Sequence, residues 1–189
     1  SMTTTPLMAN LCEFIGRCLA RSTTPHDIST EQIEAGKPHV IIAGFGRVGR
    51  RVAKILQTAD IPYLAIDSNA ERVMEGRQDG FSVFFGDASQ ADVLKAAGAG
   101  EARVLMCTLD RAVSAVRLVN IMRQHYPNIA IHARGRDSQH CDQLLKAGAT
   151  IAISETLEAS LELGRAVLLA MGAPEEDAVT LIRSFREKY

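Results

Sequence analysis

No run in this 189-residue sequence reaches the roughly 18 to 20 consecutive apolar residues that a membrane-spanning helix needs, so the chain as written reads as soluble. Neither sign of charge dominates. With 21 Lys and Arg against 22 Asp and Glu, the net charge is −1, which argues against a broad nucleic-acid surface and leaves each arginine to be judged at its own site. Cysteine is sparse: Cys12, Cys18, Cys107 and Cys141 show no CxxC spacing, and no export signal precedes them, which argues against disulfides and a zinc site. His140 stands beside Cys141, but neighbours on a helix point about 100° apart and no second ligand pair is near, so no metal is expected. What remains, 47% hydrophobic and 23% charged, is ordinary for a globular protein and does not choose a function.

Ser1-Met2 reads as a cloning remnant. Leu7, Leu11, Phe14, Ile15 and Cys18 recur at helical spacing, which predicts a short amphipathic helix over 7–19 behind Pro6. The polar stretch 20–38 has two prolines and no period, and reads as a linker. From there strands and helices alternate. Strands are predicted at 39–43, 62–66, 82–85, 102–107, 129–133 and 150–153, and helices at 47–59, 69–79, 90–97, 111–125 and 138–147. Runs that are apolar throughout imply strands covered on both faces, hence a Rossmann-like, doubly wound parallel sheet of six strands. Two further helices, 155–171 and from Pro174 to about Phe185, form a C-terminal arm too small for a substrate domain. The division predicted is therefore 1–38 as lead-in, 39–154 as nucleotide-binding domain and 155–189 as helical arm.

The stretch "HVIIAGFGRVGRRV" carries the chemistry. Gly44-Phe45-Gly46-Arg47-Val48-Gly49 fits G-x-G-x-x-G between a strand and a helix, and Asp67 ends the second strand 18 residues past Gly49. Gly44 suits the tight turn, Gly46 lets backbone approach phosphates, and Gly49 lets helix and strand pack closely. Phosphates would rest on the N-terminus of the 47–59 helix. Asp67, followed by Ser68, would accept from both ribose hydroxyls and repel a 2′-phosphate, which favours NAD(H) or AMP over NADP. The alternative is a domain that keeps these glycines for packing alone. Asp87 and Ala88 close the third strand, where the carboxylate either reaches adenine or caps the next helix, as Ser89 also could. Thr108 and Asp110 close the fourth, as caps or as nucleotide neighbours. In "HARGRD" at 132–137, Arg134 and Arg136 share a direction if the strand persists, as a second anion contact, as a salt bridge to Glu155, or as solvated surface charge.

"GFGRVG", "AID" at 65–67, "FFGDAS" at 84–89, "VLKAAGAGEA", "HARGRD" and "ETLEASLELGR" at 155–165 together resemble the RCK/KTN, or TrkA-N, regulatory domain, most of all the cytosolic C-terminal domain of Kef-type glutathione-regulated potassium/proton antiporters. The similarity runs from His39 to about Tyr189. It implies a nucleotide sensor that gates a K+/proton antiporter, binding AMP or NAD(H), with no catalytic residue. By the same resemblance Gly44, Gly46, Arg47 and Gly49 hold phosphate, Asp67 ribose, and Asp87 and Ala88 the adenine region. It further implies a homodimer through 155–187, glutathione or a glutathione adduct as second anionic ligand near Arg134, Arg136 and Glu155, and an ancillary subunit. The opening "TPLM" at 5–8 resembles the exit of the last membrane helix of such antiporters, which would place this domain on the cytoplasmic face of the bacterial inner membrane, joined through 1–38 to a membrane transport domain.

The rival expectation is a small NAD-dependent oxidoreductase. It would need an acid or base in a substrate pocket, and none of the five histidines has a partner at useful spacing. No helix-turn-helix or basic stripe supports a transcriptional sensor.

Overall fold

A computed structural model describes residues 39–188. The helix expected over 7–19, the linker 20–38, Cys12 and Cys18 lie outside the described residues. The elements alternate as β1 (Val40–Ala43), α1 (Arg47–Thr58), β2 (Tyr63–Asp67), α2 (Ala70–Gln78), β3 (Val83–Phe85), α3 (Ala91–Ala96), β4 (Val104–Cys107), α4 (Ala112–His125), β5 (Ala130–Gly135), α5 (Ser138–Lys146) and β6 (Ile151–Ser154). The helices α6 (Glu155–Ala170) and α7 (Glu175–Lys188) complete them.

The six strands form one parallel sheet in the order β3-β2-β1-β4-β5-β6. Successive connections leave β1 towards β2 on one side and return to β4 on the other, so the loops diverge between β1 and β4 and open a crevice at the carboxyl ends. The elements predicted from residue 39 onward all form. Strand β5 runs two residues past the predicted 133, because Arg134 and Gly135 pair with Ile153 and Ser154 of β6 and the ladder carries the backbone through a polar side chain.

Two apolar layers hold the sheet. Under α1 and α2 lie Ile42, Ala65, Val83, Phe45, Ala53 and Val73. On the opposite face Ile41, Leu64, Ile66, Leu105, Cys107 and Ile131 pack with Leu94 of α3, Leu118 and Met122 of α4 and Leu144 of α5. Covering on both faces, expected for every strand, holds for β1 and β2 but not for β4 to β6. Along β4 and β5 buried residues alternate with half-buried ones, and Ile151 and Ile153 of β6 are 43% and 51% exposed. Right-handed crossovers explain this: α4 and α5 lie on one face of that half, and among the described residues no crossover helix covers the other.

Beyond the sheet, α6 and α7 pack as a hairpin in which Arg186 donates to both carboxylate oxygens of Glu158 at 2.9 and 2.8 Å. Ser154 caps α6 by accepting from the Leu157 N–H at 3.2 Å.

Arg123, near the end of α4, joins three segments. Its guanidinium donates to the carbonyls of Gly148, Pro127 and Ile129, each at 2.7 Å, and to Thr150 Oγ1 at 3.2 Å. These bonds hold the starts of β5 and β6 against the helix. Because hydrogen bonds from a charged donor stabilise by more than neutral ones, Arg123→Ala is expected to lower the unfolding free energy by about 2–4 kcal/mol. Urea denaturation followed by far-UV circular dichroism would measure it.

Candidate functional site

The crevice begins where β1 ends. Gly44 turns the chain with φ +100°, a conformation that side chains disfavour, and its N–H bonds the carbonyl of Ile66 at 2.8 Å. Helix α1 then returns so closely that a Cβ on Gly49 would lie 2.0 Å from the Gly44 carbonyl oxygen and 2.9 Å from Thr108 Oγ1. The Thr108 hydroxyl spans the turn, 2.8 Å from the Gly44 carbonyl and 3.1 Å from that of Ala43. Gly46 differs. A Cβ there would meet nothing closer than 3.8 Å, so its backbone faces open space.

Asp67 sits 6% exposed at the end of β2. Its Oδ2 accepts from the Phe45 N–H at 2.7 Å and its Oδ1 from the Asn69 N–H at 2.8 Å, while Arg72 Nη1 stands 3.6 Å from Oδ2. A buried carboxylate needs such donors, and these leave one lone pair on each oxygen for two further ones. At the end of β3, Asp87 accepts from both the N–H and the hydroxyl of Ser89, at 2.9 and 2.7 Å, and neither residue caps α3. Burial raises the Asp87 carboxyl, but the bonds from Ser89, a further bond from Gln90 and the charge of Arg117 outweigh it and hold its pKa below the ordinary value.

These groups line one cavity of about 280 Å³, formed by Gly44 and Gly46 after β1, Asp67, Ser68 and Arg72 after β2, Asp87 to Ser89 after β3, and Thr108 to Arg111 with Ser114 after β4. Helices α1 and α4 start beside it at Gly46 and Arg111, and neither has a side-chain cap or an acidic residue in its first turn. By contrast α2, α5 and α6 are capped by Asn69, Asp137 and Ser154. Two helix N-termini with free N–H groups, one buried carboxylate and two arginines suit a ligand that combines an anionic group with vicinal hydroxyls.

The structure brings together Gly44, Gly46, Asp67, Ser68, Asp87, Ala88, Thr108 and Asp110 in that cavity, and leaves Phe45, Arg47, Val48, Gly49, Arg134, Arg136 and Glu155 outside its lining. Phe45 turns its ring into the core against Phe81, with centroids 5.4 Å apart, and offers the site only its N–H to Asp67. Arg47 is exposed and Val48 half-buried in the first turn of α1, and Gly49 is spent on packing. Arg134 does not reach the cavity, because Glu155 at 2.5 Å, Asp110 at 2.8 Å and the Leu109 carbonyl at 3.2 Å take its guanidinium. Of the readings open for it, the bridge to Glu155 forms. Arg136 lies past the end of β5, where its N–H donates to His140 Nδ1 at 3.1 Å, its carbonyl accepts from Thr156 at 2.8 Å and its side chain is exposed. Thr108 and Asp110 do not cap α4; Thr108 holds the turn and Asp110 holds Arg134.

Sequence reasoning missed Arg72, Arg111 and Ser114. Arg72 stands on the first turn after Asp67, so spacing could have flagged it, but only the fold shows its guanidinium turned back towards the carboxylate. Among the described residues no cluster of His, Cys, Asp or Glu suits a metal ion, and no helix is long and apolar enough to cross a membrane. Burial pushes the Cys107 thiol up to about 11, well above the range in which it would ionise at neutral pH.

The TrkA-N domain profile matches residues 40–155. The chain is 38% identical over 169 residues to the chloroplastic K(+) efflux antiporter 1 of Arabidopsis thaliana, a match that covers 89% of this chain and 14% of the antiporter. The chain thus spans about one seventh of that relative. The C-terminal domain of Shewanella denitrificans Kef, solved in its AMP-bound form, superposes with a TM-score of 0.71 at 31% identity, over 79% of this chain and 91% of that one. The GsuK channel bound to NAD superposes with a TM-score of 0.64 at 21% identity, over 69% of this chain and 24% of that one, a likeness that bears on the fold alone.

The two inner glycines predict opposite outcomes. Gly49→Ala forces a methyl against the Gly44 carbonyl and is expected to cost more than about 3 kcal/mol, whereas Gly46→Ala, with open space beside it, should stay within about 1 kcal/mol of the parent. Chemical denaturation of both variants checks this.

Proposed function

The chain belongs to the TrkA-N domain family, and from that membership and the cavity at the carboxyl edge we propose that it is a nucleotide-sensing regulatory domain that gates a monovalent cation (K+)/proton antiporter. The observation that carries the reading is the convergence, in one crevice, of a glycine turn with open backbone at Gly46, the uncapped start of α1 and the carboxylate of Asp67. The ligand is AMP or NAD(H): phosphate rests against Gly46 and the first N–H groups of α1, the ribose hydroxyls donate to the two free lone pairs of Asp67, and adenine lies towards Asp87 and Ala88. The AMP-bound Kef relative supports the mononucleotide, and the shared fold of the NAD-bound channel is compatible with the dinucleotide.

The role is regulatory rather than catalytic. Its cavity wall contains no histidine or cysteine, and its acids are occupied by N–H groups, by a hydroxyl or by Arg134. Regulation works by differential affinity: a ligand that turns a 1:99 equilibrium into 99:1 must prefer one state by roughly 5.5 kcal/mol. Through the 20–38 linker the bias would pass to a membrane transport domain, with this domain on the cytoplasmic side. Glutathione or an adduct, as second anionic ligand, would meet the exposed Arg136, and an ancillary subunit would act on the assembled protein.

The domain works as a homodimer through its helical hairpin. Leu163, Val167 and Met171 of α6 are 70%, 62% and 82% exposed, and Leu181 and Phe185 of α7 are each 45% exposed. Such an apolar surface on a folded chain marks an interface. Leu163→Glu combined with Met171→Glu should shift the protein from dimer to monomer in light scattering after size exclusion, with its circular dichroism unchanged.

Isothermal titration with AMP and with NADH tests the ligand site. Asp67→Asn keeps the shape of the side chain but replaces one acceptor with donors, and should weaken both nucleotides by at least about tenfold, about 1.4 kcal/mol. A parent protein that binds neither nucleotide would refute the sensor reading.

A further inference from the structure

The cavity wall runs from the end of β3 across the β1–β4 divergence and stops there, short of the side towards β5. Its residues come from the ends of β1, β2, β3 and β4, and none comes from the ends of β5 or β6. What stands on that far side is an ion-pair cluster. Arg134, 15% exposed, joins Asp110 on the β4 loop to Glu155, the first residue of α6, and donates to the Leu109 carbonyl as well. Asp110 belongs to both places: its Oδ1 meets Arg134 at 2.8 Å, and its Oδ2 lies 3.9 Å from where a Cβ on Gly46 would stand.

Given the nucleotide-binding reading, we infer that the Asp110–Arg134–Glu155 cluster closes the β5 side of the crevice, so that the resting site takes a single adenosine nucleotide and excludes the second nucleoside of a dinucleotide. A phosphate held at Gly46 lies at the divergence between β1 and β4. A dinucleotide anchored there must carry its second phosphate and second nucleoside over the end of β4 towards β5, since the opposite direction is taken by its adenosine half. On that path the second phosphate passes the carboxylate of Asp110, a like charge, and the nucleoside must displace a guanidinium held by three acceptors. A mononucleotide needs none of this space. The same cluster ties the specificity of the site to the helical hairpin, because Glu155 opens α6. A dinucleotide that separates Arg134 from Asp110 and Glu155 also frees the start of that helix, and by linkage a hairpin held in the closed arrangement opposes dinucleotide binding.

Isothermal titration of the dimeric protein with AMP and NADH, on the parent, Arg134→Ala and Glu155→Gln, tests this, with thermal melts to establish that each variant folds. The parent should bind AMP roughly tenfold or more tighter than NADH, and Arg134→Ala should narrow that ratio by roughly tenfold through gain of NADH affinity while AMP changes less than about threefold. Glu155→Gln lies outside the cavity wall, should shift the ratio the same way by a smaller factor, and decides the matter if Arg134→Ala does not fold. Equal affinities for the two ligands in the parent, or an unchanged ratio in a folded variant, would overturn the cluster's role and leave nucleotide binding standing. A parent that binds neither ligand overturns both.

Discussion

The contact on which the site depends is the approach of α1 to the turn at Gly44. With no Cβ at Gly49, the first turn of the helix comes down onto the Gly44 carbonyl, and the Thr108 hydroxyl locks the turn from the neighbouring strand. Everything at the carboxyl edge is placed from there. The start of α1 points at open space beside Gly46, the Phe45 N–H is directed to Asp67, and the Phe45 ring goes into the core under α2 as a peg that Gly76 leaves room for. Rigid placement matters because a ligand carrying both a phosphate and a ribose would have to be met at both at once, and groups already ordered by packing need not be ordered by binding.

Charge is arranged around that frame with little waste. Asp67 is buried yet met by two N–H groups and a nearby guanidinium, and keeps one lone pair open on each oxygen. Arg134 has its two terminal guanidinium nitrogens held by two carboxylates and a carbonyl, outside the lining of the cavity. Its neighbours link the nucleotide crevice to the first residue of the hairpin. A regulatory domain requires this kind of connection, because a ligand shifts an equilibrium only when the two states contact it differently.

The half-covered sheet has a similar logic. Strands β4 to β6 are buried on the α4 and α5 side, while the other side keeps Ile151 and Ile153 partly in water. The hairpin adds a second exposed apolar surface on α6 and α7. Unbroken apolar runs in β4 and β6 had suggested burial on both faces. Among the described residues it is provided on one, and the remaining apolar area is open to further contacts.

Local physics made much of this legible in the residues themselves. The change from linker to alternating strand and helix, the G-x-G-x-x-G turn and the acid at the end of the second strand all follow from steric and hydrogen-bonding needs confined to a few neighbours. Gly44, Gly46, Gly49 and Asp67 therefore stand where their types said they would. The partners of Arg134 needed more. It is 24 residues from Asp110 and 21 from Glu155, and its identity is equally consistent with solvent, a ligand or a salt bridge until parallel pairing sets those loops side by side. Arg72 likewise acquires meaning only when α2 turns it back over Asp67. Sequence determined the turn and the acceptor because short-range geometry leaves few residues that can serve. Tertiary structure alone decided which charges the protein uses up on itself and which it leaves for a ligand, since that depends on distances between segments far apart in the chain.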